Sequence, residues 1–167
     1  MKAMPKIYLS YAREDEKQVQ ELYEKLSSAG FNPWMVSRDV RPGADWIASS
    51  GKAIRQSDFF LAILSKHSAQ RSGFFEQELA LALNIKNQKP ADEIYLIPVR
   101  LQECEVPESL RTIFWVDLFR EDGWNRLVEA IGRASTPRLE PPKPPDGLIE
   151  ACAKRDCVVY VGSGLSA

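Results

Sequence analysis

The chain has 167 residues, 44% of them apolar and 27% charged, with a formal net charge of −1. That length suits one domain plus some excess, and a domain of roughly 130–150 residues buries about two-thirds of its unfolded surface. The small net charge argues against a dedicated nucleic-acid binder, and no apolar run approaches the ~20 residues that a membrane helix needs.

The start, Met1-Lys2-Ala3-Met4-Pro5-Lys6, leads straight into a strand and has no signal-peptide apolar region. The cysteines Cys104, Cys152 and Cys157 are odd in number, lack CxxC spacing and have a single histidine to join them. This argues against a disulfide framework and a structural zinc site. Free thiols in a reducing cytoplasm are the expectation.

Lys6–Ser10 is a short β-prone run, broken by Tyr11–Asp15. From Glu14 to Ala29, Val19, Leu22, Tyr23 and Leu26 recur at helical spacing and form one face; Gly30 stops the helix. Phe31–Val36 reads as a second strand, whose Pro33 suits an edge position or a ladder defect. Ser37–Asp45 is a polar loop turning at Pro42-Gly43. A helix is expected from about Asp45 to Gln56, with Trp46, Ile47, Ala53 and Ile54 facing inward. Asp58–Leu64 is almost continuously apolar, the mark of a strand buried on both faces. Ser65–Gly73 is a polar loop, and Phe75–Lys86 a helix rich in Leu and Ala. Glu93–Val99 is a fourth strand with Pro98 near its end, Trp115–Leu118 a short fifth, and Asp122–Arg133 the last helix. The stretch between the fourth and fifth strands has no clear pattern.

Strands and helices thus largely alternate, which predicts an α/β chain with a parallel doubly wound sheet. Ligands of such sheets bind beyond the carboxyl ends of the strands. The segments that matter are therefore 10–15, 37–46 and 65–78.

Residues 136–146 carry five prolines in eleven positions, an extended linker of ~30 Å reach. Beyond it, Leu148–Arg155 has a helical pattern and Cys157–Val161 a strand pattern, followed by the glycine-rich Gly162–Ala167. A strand flowing into such a turn opens a nucleotide-binding unit. Residues 147–167 are too few for a domain, so the chain is expected to be a fragment of a longer protein.

Ile7–Asp15 resembles the first box of TIR domains, an apolar strand followed by Ser-Tyr and acidic residues. Gly30-Phe31 to Trp34 and Arg41-Pro42-Gly43-Ala44-Asp45-Trp46 resemble the second strand and BB loop of that family. Leu61–Ser65 resembles its strand ending in Leu-Ser, Gly73–Leu83 the following box as bacterial members write it, and Ile97-Pro98-Val99 the fourth strand. The ordered set spans about residues 5–134 and is more specific than any piece. The resemblance implies a flavodoxin-like three-layer fold with a five-stranded parallel sheet over 1–135. The tail Val158–Ala167 is similar to the start of a sirtuin-type NAD-binding domain, but Ser163 stands where the pattern has Ala.

Many TIR domains cleave NAD at the nicotinamide–ribose bond; others are scaffolds. The resemblance carries the family's catalytic glutamate onto Glu78, with Glu76 about 200° away around the helix. The leaving nicotinamide is neutral and needs no proton, so one carboxylate near the oxocarbenium-like ribose suffices. A glutamate on a solvated helix face is the plain alternative. Tyr11 and Trp46 are candidates to stack on the substrate's rings, against simple core or rim packing. Arg13, beside Ala12, is a candidate partner for the pyrophosphate, against an ion pair with Glu14 or Asp15. Arg41 and Gly43 lie in the BB loop (37–46), which in related enzymes meets a neighbouring TIR domain. Gly43 suits a positive φ or an ordinary turn. Ser65 is placed either to bind ligand or to cap a helix. His67 is expected to be exposed and uninvolved.

The first expectation is a cytoplasmic NAD glycohydrolase, with NAD as substrate, no cofactor and no metal. It would release nicotinamide plus ADP-ribose or a cyclic form. It would act through BB-loop self-association and a downstream sirtuin-like domain as an effector of bacterial anti-phage defence. The second is a non-catalytic scaffold. A phosphoacceptor receiver shares the fold, but Ser10-Tyr11, Leu64-Ser65 and Leu118 stand where its acidic pair, phosphorylated Asp and Lys belong.

Overall fold

The computed structural model describes residues 4–68 and 73–135. The expected linker and the segment 147–167 lie outside the described residues, as do Cys152 and Cys157. Five parallel strands form one sheet in the order β2-β1-β3-β4-β5: β1 Lys6–Ser10, β2 Asn32–Trp34, β3 Phe59–Leu64, β4 Leu96–Arg100 and β5 Val116–Asp117. The helices are α1 Glu16–Ser28, α2 Val36–Asp39, α3 Trp46–Gln56, α4 Phe74–Gln88 and α5 Gly123–Ala134. This is the flavodoxin-like arrangement, with helices on both faces.

Strand periodicity divides the core into two. Side chains alternate across a sheet, so Ile7, Leu9, Leu61 and Ile63 meet Val19, Leu22 and Leu26 of α1 and Leu127 and Ile131 of α5. Tyr8, Phe60, Ala62 and Leu64 point the other way, to Ile54 of α3 and to Leu79 and Ala82 of α4. Every residue of β3 is buried, as its apolar run predicts. Gly30, at φ +86°, ends α1: its N–H reaches Ser27 O and that of Phe31 reaches Leu26 O, each at 3.1 Å.

Proline positions follow the ladder. Pro33 lies in β2, an edge strand, as its missing N–H requires. Pro98 lies inside β4, paired with Ala62. In β4 the odd-numbered positions serve β3, as Phe60 N–H to Tyr95 O and Leu101 N–H to Leu64 O indicate. The N–H that Pro98 lacks would face β5, whose pairing begins only at Val99–Val116.

The structure corrects three expectations. The second strand ends at Trp34, because Asp39 accepts the Met35 N–H at 2.8 Å and closes the short helix α2 inside the expected loop. The fourth strand starts three residues late, since Glu93 N–H turns back to Pro90 O at 2.9 Å. Trp46 and Ile47, expected inward, are 43% and 56% exposed. The buried stripe of α3 is Ser50 and Ile54, one turn apart. Trp46 stands one turn before Ser50, past the carboxyl end of the sheet, where the helix has no core to meet. Ile47 lies about 20° around the helix from Ile54, so its exposure comes from the same first-turn position as that of Trp46 and not from the face it occupies. Among the described residues no helix is long and apolar enough to cross a membrane.

Candidate functional site

At the carboxyl ends of β1 and β3 lies a cavity of about 730 Å³. The loop after β1 supplies Tyr11, Ala12 and Arg13, α2 supplies Val36 and Ser37, and α3 supplies Trp46. His67 and Ser68 follow β3, and α4 contributes Phe74, Phe75 and Glu78.

Glu78 is 5% exposed, while Glu76 is exposed, so the ~200° between them resolves as expected. Leu79 and Ala82 are buried and seat α4 on the sheet, turning Glu78 toward β1. Two residues apart on β1, Tyr8 and Ser10 share the face that meets α4. The Tyr8 hydroxyl donates to Glu78 Oε1. The Ser10 hydroxyl donates to Oε2 at 2.5 Å. Burial pushes the Glu78 carboxyl up to about 7, against the lowering effect of the hydrogen bonds from Ser10 and Tyr8. Burial, then the Glu78 charge, raise Tyr8 far above its ordinary range, so it remains a neutral donor. An ionised carboxylate has about four acceptor sites, so two donors leave capacity for a ligand.

The other candidates divide. Tyr11, Ala12, Arg13 and Trp46 converge with Glu78 on the cavity. The half-buried Tyr11 donates its hydroxyl to Ser37 Oγ at 3.1 Å, and burial raises its pKa. Trp46 meets the Phe74 ring edge-on, with centroids 4.2 Å apart. Ser65 is fully buried and does not line the cavity: it donates to Asp15 Oδ2 at 2.5 Å and accepts the N–H groups of His67 at 3.0 Å and Ser68 at 3.2 Å. Arg41 and Gly43 are exposed and also lie outside the cavity lining, Gly43 with φ +85°. His67 is exposed as expected, yet it borders the cavity.

Sequence reasoning missed Tyr8, and it placed Ser10 and Asp15 within the segment 10–15 without finding their partners Glu78 and Ser65. Tyr8 had a signal: a tyrosine inside a buried strand must find a partner for its hydroxyl. Asp15 had none, because its partner Ser65 is 50 residues away.

No curated protein matches the sequence. Among solved structures, the TIR domain of the Toll-related receptor TRR-2 from Hydra magnipapillata is 24% identical, with a TM-score of 0.64 over 75% of this chain and 97% of that one. The TIR domains of the activated Roq1 resistosome are 20% identical, with a TM-score of 0.52 over 90% and 98%. The CMP N-glycosidase BcmB of Clostridium botulinum is 13% identical, with a TM-score of 0.50 over 75% and 98%. At these identities the likeness is one of fold. The sequence itself matches the family model described as TIR domain over residues 7–130, and with the five-stranded parallel sheet this makes the chain a member of the TIR domain family.

Proposed function

We propose that this TIR domain cleaves the nicotinamide–ribose bond of NAD, with Glu78 as the catalytic carboxylate. The observation that carries the reading is Glu78 itself: a buried carboxylate, raised to about 7, that borders a cavity at the carboxyl end of the sheet. The C–N bond breaks with its electron pair going to the nicotinamide nitrogen, which becomes neutral. Positive charge builds on the ribose, and the ionised Glu78 stabilises it while accepting hydrogen bonds from the ribose hydroxyls. Water then adds at the anomeric carbon and gives up a proton, which a carboxylate poised near neutrality can accept. Arg13 is available to the pyrophosphate, and Tyr11 and Trp46 to the rings. Such a domain would serve as a defence effector, switched on by self-association through 37–46. Chromatography of NAD incubated with concentrated protein tests the activity. Free nicotinamide is the expected product, and its companion, ADP-ribose or a cyclic form, distinguishes hydrolysis from cyclisation. No nicotinamide at any protein concentration would reject the reading.

A second reading, assembly without catalysis, is favoured by the unbroken exposure of residues 41–48, including Trp46 and Ile47. It requires that NAD survive incubation with the assembled chain.

A further inference from the structure

Tyr8 has no exposed surface and does not line the cavity. The parallel register pairs it with Trp34 on one side and Phe60 on the other. Its ring is accordingly stacked between theirs, with centroids 4.9 Å and 5.5 Å away and planes inclined by 20° and 6°. Three strands therefore fix the direction of one hydroxyl, and that hydroxyl ends on Glu78 Oε1. Ser10 ends on Oε2.

We propose that Tyr8 is a positioning residue of the site: its clamped hydroxyl, with that of Ser10, fixes the Glu78 carboxylate so that each oxygen keeps an acceptor site for the hydroxyls of a bound ribose. The proposal rests on the reading of Glu78 given above and adds what makes that carboxylate usable. Burial alone favours the uncharged acid. Tyr8 and Ser10 from β1 oppose it, and the groups lining the cavity nearby are Tyr11, Arg13, Glu14, Glu16 and His67. Tyr8→Phe removes one hydroxyl, keeps the stacked ring, and leaves burial less opposed.

The test combines a carboxyl ¹³C NMR titration with a pH profile of nicotinamide release from NAD. The Glu78 resonance is identified by its absence in Glu78→Gln. In Tyr8→Phe the Glu78 midpoint is expected to rise from about 7 by about one pH unit. Nicotinamide release at pH 7 then falls about fivefold, recovers at pH 9, and leaves KM within about twofold. An unmoved midpoint, or an equal loss of activity at every pH, overturns the proposal. Where the wild type releases no nicotinamide, the NAD reading fails, yet the titration still decides whether Tyr8 holds the carboxylate. Should Tyr8→Phe not fold, uniform 3-fluorotyrosine labelling of the wild type strengthens the donor and is expected to lower the midpoint; no movement overturns the proposal equally.

Discussion

The Ser65 hydroxyl donates to the buried Asp15 carboxylate at 2.5 Å and ties the loop after β3 to the helical turn Arg13–Asp15 after β1. Both tied segments contribute to the cavity wall, through Arg13 on one side and His67 and Ser68 on the other. Ser65 also receives the backbone N–H groups of His67 and Ser68, so one hydroxyl closes the loop on itself. Ser65→Ala would leave a buried carboxylate short of a donor. It is expected to lower stability by about 2 kcal/mol, read from the midpoint of urea unfolding at constant slope. A change under ~0.5 kcal/mol would show that the clamp is replaced by water.

Glu78 makes stability depend on pH. Its folded value, about 7, lies above the ordinary 4.5. Between those values the folded chain holds a proton that the unfolded chain has lost. Its contribution is therefore full below pH ~4.5, falls as pH rises to about 7, and is flat beyond. The loss is about 3 kcal/mol. Glu78→Gln should remove this slope, so that the variant gains on the wild type between pH 4.5 and 7. Parallel stability curves from chemical unfolding would contradict it.

Gly123 opens α5 where the helix passes β5. A Cβ there would stand 2.1 Å from the Asp117 carbonyl oxygen and 2.9 Å from Leu118 Cα. Both neighbours are backbone, so α5 itself would have to shift. Gly123→Ala is expected to cost about 2–3 kcal/mol, visible as a drop of several degrees in Tm. Gly132→Ala serves as the control, since among the described residues no atom beyond the neighbouring backbone of its own helix lies within 4 Å of the place its Cβ would take.

Trp46 is 43% exposed and leans on Phe74 at the cavity. If it stacks on the substrate, Trp46→Ala should raise KM for NAD about tenfold and change Tm little, because so little of the core is involved. Trp46→Phe should recover most of the affinity. Unchanged kinetics would contradict the stacking role.

The sheet was legible because its strands speak locally. The continuous apolar run of β3 and the amphipathic spacing of α1 carry their placement in adjacent residues, and Pro33 marks its own edge. Glu78 was legible only through the ordered TIR resemblance and the spacing from Glu76, since a glutamate on a helix is usually solvated. What surrounds it was not. Tyr8 and Ser10 lie 70 and 68 residues from Glu78, and Asp15 lies 50 from Ser65. Those pairings are made by the sheet's crossovers and leave no local trace. The inward reading of Trp46 and Ile47 failed because the first turn of α3 adjoins a cavity rather than the core.

The role of the Glu78 carboxylate is reached most directly by one comparison. Wild type and Glu78→Gln are incubated at pH 8 and equal high concentration with NAD, and released nicotinamide is quantified by chromatography. The wild type is expected to release nicotinamide, and the variant to be slower by at least about a hundredfold, with its fold intact by circular dichroism. Equal release by the two proteins would contradict the assignment of Glu78.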